Sequence, residues 1–122
     1  MGYIVFGGNM AVAAIGRVLP LPPEQGEVAA CYALAEQYLG MRFVYLEAGS
    51  GAEKPLPPST VSTDRKAIEI PLIVGGGIRS IEAVDAILEA GADIIVTGTI
   101  AEKDFNSCRK LIKAVKSFSK RL

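Results

Sequence analysis

The chain of 122 residues is half hydrophobic and 21% charged, which fits one folded domain and excludes a disordered segment. Its 13 basic and 13 acidic residues cancel, so the chain as a whole has no electrostatic attraction to nucleic acid or membranes. Histidine is absent, which argues against zinc centres and against nucleophiles that a histidine base activates.

Four short apolar runs are typical of β-strands, and they occupy residues 3–6, 43–47, 72–74 and 93–97. The last two runs are apolar on both faces, as in parallel strands that helices cover. Helical patterns lie between the runs and after the last one. The alternation of strand and helix therefore predicts an α/β fold with a parallel sheet.

Three of the predicted helices have apolar stripes that we expect to face the core. The first ends at Gly40, and its stripe is Val28, Cys31, Tyr32, Ala35 and Tyr38. The second has Ser80 as N-cap and ends at Gly91, and its stripe is Ile81, Val84, Ile87 and Leu88. The last has the stripe Phe105, Cys108, Leu111, Ile112, Val115 and Phe118. A weaker helical pattern covers residues 59–69.

Two architectures fit four strand–helix units in a single domain over residues 1–122: a doubly wound sheet, or a (β/α)4 half of a TIM (β/α)8 barrel. A complete barrel takes about 250 residues, so this chain supplies only half of one. Residues 7–23 are long and proline-rich for a connection, and we expect them to cover an active site. Their apolar residues 10–15 either line an apolar pocket or form a short buried helix.

The two cysteines, Cys31 and Cys108, lie on predicted apolar helix faces and lack CxxC spacing, so we interpret them as reduced core residues. The first residues lack the basic region of a signal peptide, and no apolar run approaches the ~18 residues of a membrane span. We therefore expect a cytoplasmic protein.

Two glycine-containing loops follow the last two strands and predict a phosphate site. Residues 75–80, with the sequence GGGIRS, lead directly from a strand into a helix, whose free N–H groups favour an anion. Thr97-Gly98-Thr99 ends the next strand in the same way. Such a pair is typical of the phosphate site after the last two strands of a (β/α)8 barrel. Position 80 is serine, so a dinucleotide-binding GxGxxG motif does not fit. Arg79 either pairs with the phosphate or is a solvated loop residue.

The second strand carries a carboxylate at its C-terminal end. Alternation places Phe43, Tyr45 and Glu47 on one face and Val44 and Leu46 on the other, which we expect to pack against helices. Glu47 then lies at the mouth of the barrel, where it either accepts a proton from a substrate hydroxyl or pairs with a nearby cation. Tyr45 is either a functional group or part of the core.

Three segments together resemble the geranylgeranylglyceryl phosphate synthase family and the similar bacterial heptaprenylglyceryl phosphate synthases. They are residues 45–52 (YLEAGSGA), 71–80 (PLIVGGGIRS) and 91–99 (GADIIVTGT), of which the first is the most specific. The resemblance extends over the whole chain but covers only the C-terminal half of the family's barrel, strands five to eight.

The resemblance implies a transferase that joins sn-glycerol 1-phosphate to geranylgeranyl diphosphate, forming the first ether bond of archaeal membrane lipids. It implies that Glu47, with Tyr45 beside it, orients or deprotonates the attacking hydroxyl. It implies that the following residues bind glycerol phosphate: Tyr45, Leu46, Glu47, Ala48, Gly49, Ser50, Gly51, Gly76, Gly77, Gly98 and Thr99. It also implies Mg²⁺, but the family's metal ligands come from the first half of the barrel, and no strand-end Asp pair replaces them here. Another phosphate-barrel activity, such as a sugar-phosphate isomerase or lyase, and a catalytically silent phosphate-binding module remain alternatives.

Two further features predict partners. Residues 105–122 carry six basic and no acidic side chains, so they hold +6 and the rest of the chain −6. They form either a solvated helix face or a surface that attracts anionic lipid headgroups.

A half-barrel also has two open sheet edges and an uncovered apolar interior, so we expect a homo-oligomer, association with an N-terminal half, or aggregation. No feature predicts binding to nucleic acid.

Overall fold

The computed structural model describes residues 1–7 and 11–118, apart from the side chain of residue 12. Strands and helices alternate along the chain, with two extra short helices, one after the first strand and one after the last. The elements are β1 (Gly2–Val5), α1 (Ala11–Gly16), α2 (Gly26–Tyr38), β2 (Val44–Glu47), α3 (Pro58–Ala67), β3 (Leu72–Gly75), α4 (Ile81–Glu89), β4 (Ile94–Val96), α5 (Thr99–Lys103) and α6 (Phe105–Ser117). None of the helices in the described part of the chain is long and apolar enough to cross a membrane.

The four strands form one parallel sheet in the order β1-β2-β3-β4, which confirms the predicted α/β class. The register aligns Tyr3 with Tyr45 and Glu47 with Gly75, so these residues share one face of the sheet. The other face is covered by helices and holds the main core, with the fully buried Val44 and Leu46 as predicted. All four strands therefore direct their C-terminal ends to the same rim of the sheet.

The face that α2 buries is not the predicted one. Its buried residues are Gly26, Ala29, Ala30 and Ala33. The residues that we expected in the core, all but Ala35 larger than the buried ones, are exposed: Val28, Cys31, Tyr32, Ala35 and Tyr38. The small residues are buried because α2 packs very closely against α3. A Cβ atom on Gly26 would lie only 3.0 Å from the Cα atom of Thr60. The interpretation of Cys31 as a core residue was therefore wrong, whereas Cys108 is buried and both thiols are free.

The later helices follow the sequence pattern more closely. Ser80 caps α4 by accepting a hydrogen bond from the Ala83 N–H, and the helix buries Val84, Ile87 and Leu88 while Ile81 is exposed. In α6, Cys108 and Leu111 are buried, but Phe105 and Ile112 are exposed. Their exposure shows that the core-facing stripe of α6 is narrower than the sequence predicted.

The segment before α2 is only partly described, and its described ends, Gly7 and Pro23, line a cleft together with the loop after β2. Within residues 7–23, α1 exposes Ile15 and buries Ala13, and Leu19 is 95% exposed. Leu21 adds to the free edge of β1, where its N–H donates to the Val5 carbonyl. Of the two alternatives for residues 10–15, the short helix forms as α1, but its described side chains are mostly exposed. Residue 10, part of the apolar string assigned to a pocket, lies outside the described residues.

One carboxylate is buried between α2 and α3. Asp64 of α3 is fully buried, and neither of its oxygens has a hydrogen-bond partner in another described residue. Burial, and next the negative charge of Glu36 on α2, raise the pKa of Asp64 to about 7. Glu36 itself accepts a hydrogen bond from the Tyr3 N–H at 3.1 Å, on the free edge of β1. At neutral pH, Asp64 is therefore either protonated, or ionised at a cost to the free energy of folding.

Candidate functional site

A cavity of about 210 Å³ opens at the C-terminal rim of the sheet, between the loops that follow β2, β3 and β4. Nine of the predicted site residues line it: Tyr45, Glu47, Gly49, Ser50, Gly51, Gly76, Gly77, Gly98 and Thr99. Ile78, Arg79, Val96, Thr97 and Ile100 complete the lining. The parallel topology brings these distant segments together because equivalent strand ends meet at one edge.

Two predicted residues do not line this cavity. Leu46 points into the helix-covered core, as strand alternation requires, so only its backbone is near the rim. Ala48 lines a neighbouring cleft formed with Phe6 and Gly7. Direct side-chain contact of Leu46 with a ligand in the cavity is therefore ruled out by its orientation.

The Glu47 carboxylate is held at both oxygens. The Tyr3 hydroxyl donates to Oε2 at 3.0 Å, and the Gly49 N–H donates to Oε1 at 2.7 Å. An ionised carboxylate has about four acceptor positions, so each oxygen keeps one free for a ligand hydroxyl. The contacts fix the orientation of the carboxylate without using up its capacity to accept.

Two tyrosines support this carboxylate from the open face of the sheet. The rings of Tyr3 and Tyr45 stack with their centroids 4.7 Å apart. Burial, and next the hydrogen bond to Glu47, raise the pKa of Tyr3 to about 12, while burial and the Glu47 charge raise the pKa of Tyr45 well above its ordinary value. Both phenols therefore stay protonated at neutral pH and act as hydrogen-bond donors rather than bases.

Glycines bring the loops after β2 and β3 into contact. A Cβ atom on Gly76 would lie 2.6 Å from the Gly49 nitrogen, and the backbone of Gly76 has φ +92°, which side chains rarely adopt. A Cβ atom on Gly77 would collide with the Lys54 carbonyl. The Arg79 guanidinium ties the same two loops together by donating to the Ala52 carbonyl at 2.9 Å. Arg79 is thus an exposed loop residue on the cavity wall, with a partner of its own.

Sequence reasoning missed Tyr3 and the helix at Thr99. Tyr3 was assigned only to a strand, although its position opposite Tyr45 in the register gives it access to Glu47. Thr99 begins α5 instead of lying in a turn, so backbone N–H groups of its first turn are close to the cavity. The register of the parallel sheet is the signal that identifies Tyr3 as a site residue. This register is known only once the strand pairing is known.

A magnesium site is not formed by the described residues. Among residues 1–7 and 11–118, no three Asp, Glu, Cys or His side chains are grouped as metal ligands. Glu47 is the one acidic residue among those that line the cavity, and a single carboxylate does not make a Mg²⁺ site. The donor set of this cavity suits a phosphorylated alcohol and does not fit Mg²⁺.

Glycine loops after two successive parallel strands, followed by the short helix α5, are typical of the phosphate-binding class of (β/α)-barrel proteins. More specifically, residues 1–117 match the PcrB family, to which this chain belongs.

Curated relatives carry a consistent name. The geranylgeranylglyceryl phosphate synthase of Saccharolobus solfataricus is 50% identical over 115 residues, covering 94% of this chain and 45% of the relative. The synthase of the same name from Thermococcus gammatolerans is 50% identical over 119 residues, covering 96% of this chain and 47% of the relative. The chain thus spans about half the length of these curated relatives.

Two solved structures are similar in fold. One is (S)-3-O-geranylgeranylglyceryl phosphate synthase from Thermoplasma acidophilum in complex with sn-glycerol-1-phosphate, with a TM-score of 0.85 and 45% identity over 93% of this chain and 46% of that chain. The other, from Thermoplasma volcanium, has a TM-score of 0.87 and 44% identity over 98% of this chain and 49% of that chain. The described sheet and helices therefore correspond to half of a TIM barrel.

Proposed function

We propose that this chain provides the glycerol-phosphate site of a prenyltransferase that joins sn-glycerol 1-phosphate to geranylgeranyl diphosphate. The observation that carries the proposal is the cavity itself, which glycine loops and one fixed carboxylate line together. The similar structure from Thermoplasma acidophilum, which contains sn-glycerol-1-phosphate, supports the same substrate.

In this proposal, the phosphate lies against the loops after β3 and β4. Backbone N–H groups near Gly76, Gly77 and Gly98, and the Thr99 hydroxyl, are the donors for its oxygens. Absence of side chains at the glycines lets the backbone approach the phosphate closely. The glycerol hydroxyls then extend towards Tyr45 and Glu47.

Glu47 accepts the hydrogen bond of the attacking hydroxyl and receives its proton as the ether bond forms. The bond between the prenyl carbon and the diphosphate oxygen breaks in the same step, and diphosphate leaves with the bonding electrons. Tyr3 and Gly49 hold Glu47 in place, so that the carboxylate needs no reorientation during the reaction. Tyr45 contributes a hydroxyl that remains a donor at neutral pH.

The family resemblance implies a dependence on Mg²⁺. We propose that residues outside this cavity bind the ion. A divalent cation neutralises the oxygens of a departing diphosphate when it is bound. Since the described residues do not form its site, we assign no residue of this chain to the metal. A cytoplasmic location is likewise proposed, supported by the two free thiols.

The partly exposed face of the sheet supports a proposal about the partner. Tyr3 and Ile94 on this face are 40% and 42% exposed, although their positions correspond to a barrel interior. We propose that this face is closed by further β/α units, either an N-terminal half-barrel or a second copy of the chain. Light scattering at micromolar concentration should detect oligomers of the isolated chain if a second copy closes the face. A monomer that also fails to bind an added N-terminal half-barrel would contradict this proposal.

Titration calorimetry with sn-glycerol 1-phosphate tests the proposed site. Removal of one hydroxyl donor to a charged group costs about 1.5–3 kcal/mol, so Thr99→Val should weaken binding about tenfold or more. Thr63→Val is the control, because the Thr63 hydroxyl donates to the Ser59 carbonyl of its own helix, away from the cavity. Equal affinities for the two variants would contradict the site. Binding without turnover with prenyl diphosphate and Mg²⁺ would favour a phosphate-binding module over an enzyme.

A further inference from the structure

The loop after β2 rests on glycines of the loop after β3 at two points. The backbone of Gly49 lies against Gly76, where a Cβ atom would collide with it. The Lys54 carbonyl lies against Gly77 in the same way. Because backbone packs directly on backbone at both points, the loop after β2 has a firm support at residue 49 and another at residue 54.

Residues 50–52, between the two supports, are packed much less closely. Ser50 and Gly51 are exposed, and a Cβ atom on Gly51 would meet nothing within 4 Å. The Arg79 Nη2 donates to the Ala52 carbonyl at 2.9 Å. Within residues 1–7 and 11–118, this is the one hydrogen bond that a side chain of another loop makes to residues 50–52.

Ala52 is connected to Glu47 through Gly49. The Ala52 N–H donates to the Gly49 carbonyl at 3.1 Å, which closes a turn over residues 49–52. The Gly49 N–H in turn donates to Glu47 Oε1 at 2.7 Å. A short series of hydrogen bonds therefore leads from the Arg79 guanidinium to the carboxylate at the rim.

The glycines of this turn make its conformation depend on outside contacts. Gly49 has φ +111° and Gly51 has φ +79°, and glycine reaches many other backbone conformations at little steric cost. The turn therefore does not select its own conformation. A hydrogen bond worth about 1 kcal/mol is enough to decide between turn conformations that differ little in free energy.

We propose that Arg79 is a positioning residue, which holds residues 49–52 in the conformation in which the Gly49 N–H binds the Glu47 carboxylate. It acts through the backbone of the turn and not on the reacting hydroxyl. A functional side chain is held more precisely when the groups that contact it are themselves fixed. The inference rests on the proposed function, in which Glu47 binds the glycerol hydroxyl. Direct pairing of Arg79 with the phosphate is the competing role.

Nuclear magnetic resonance of the chain with isotope-labelled glycine tests the positioning without a ligand. Glu47→Ala removes the acceptor and gives the amide proton shift of Gly49 without this hydrogen bond. Arg79→Met removes the donor but keeps a long side chain, and it should move the Gly49 resonance most of the way to that value. Arg79→Lys keeps a charged donor and should restore most of the original shift. The matched control Arg42→Met, at an exposed position before β2, should leave the resonance unchanged.

Titration calorimetry distinguishes positioning from direct contact with the phosphate. Arg79→Met should weaken binding of sn-glycerol 1-phosphate about threefold to tenfold, the contribution of one hydrogen bond, and should leave the affinity for inorganic phosphate nearly unchanged. Equal losses for the two ligands would overturn the proposal, because Arg79 would then bind the phosphate itself. An unmoved Gly49 resonance in Arg79→Met would overturn it as well.

Failure of the inference is distinguishable from failure of the proposed function. If the unsubstituted chain does not bind sn-glycerol 1-phosphate, the proposed function is contradicted, while the Gly49 resonance still decides whether Arg79 positions the turn. If the unsubstituted chain binds it and Arg79→Met behaves like Arg42→Met in both measurements, only the role of Arg79 is refuted.

Discussion

The carboxylates of Glu47 and Asp64 have opposite surroundings. Glu47 lies at the rim of the sheet and accepts one hydrogen bond at each oxygen. Asp64 lies fully buried between α2 and α3 without a hydrogen-bond partner in another described residue. One carboxylate is thus held by donors, and the other only by packing.

The difference distinguishes a carboxylate suited to a function, Glu47, from one whose burial lowers the stability of the fold, Asp64. Donors at both oxygens fix the orientation of the Glu47 carboxylate at the rim, where it is placed to accept a hydrogen bond from a bound hydroxyl. Burial without donors favours the neutral form of Asp64 and raises its pKa to about 7. A perturbed pKa alone therefore selects the wrong residue in this protein, whereas hydrogen bonds and position at the rim select Glu47.

Glu47→Gln should have the largest effect on activity. General base catalysis contributes about 10²–10⁴ in rate, so turnover should fall by this factor while affinity for glycerol phosphate falls much less. Turnover with prenyl diphosphate and Mg²⁺, measured beside calorimetric titration, checks both expectations. Parallel losses in the two measurements would instead indicate that Glu47 has a structural role.

Asp64 should make the protein less stable as pH rises. The pKa in the folded state is about 7, against an ordinary 3.8, so the folded state binds more protons between these values and the free energy of unfolding falls across this window. The full effect, reached above pH 7, is on the order of 4 kcal/mol. Urea unfolding at several pH values measures it.

Asp64→Asn should remove this pH dependence. The variant should match the original protein near the acidic end of the window and exceed it in stability above neutrality, because Asn cannot ionise. Glu89→Gln, at an exposed position on α4, is the control and should leave the slope unchanged. A slope that persists in Asp64→Asn would assign the titration to another group, such as Glu36.

Tyr3→Phe should have the smallest effect. The change keeps the ring stacked on Tyr45 but removes the hydroxyl that donates to Glu47 Oε2. Loss of one such hydrogen bond costs about 1.5–3 kcal/mol at a charged acceptor, and a water molecule that takes its place should reduce the loss to about tenfold in turnover. Tyr38→Phe, at a position 80% exposed, should have no effect. An unchanged rate in Tyr3→Phe would show that Gly49 alone suffices to orient Glu47.

The sequence predicted the sheet and most of the cavity because their signals are local. Apolar runs marked the strands, strand alternation placed Val44 and Leu46 in the core, and glycines after strands marked the rim loops. The packed face of α2 was not predictable in this way. Its alanines and its larger residues have the same spacing, and only the close approach of α3 decides between them. Burial of Asp64 depends on the same long-range contact.

The stacked tyrosines make the rim of the sheet optically distinct. The chain has no tryptophan and four tyrosines, so its intrinsic near-ultraviolet fluorescence comes from tyrosine alone. Half of these emitters, Tyr3 and Tyr45, lie in one stacked pair whose hydroxyl environment is set by Glu47. An occupant that takes up a Glu47 oxygen changes the emission of this pair, and the unlabelled protein thereby carries its own binding signal.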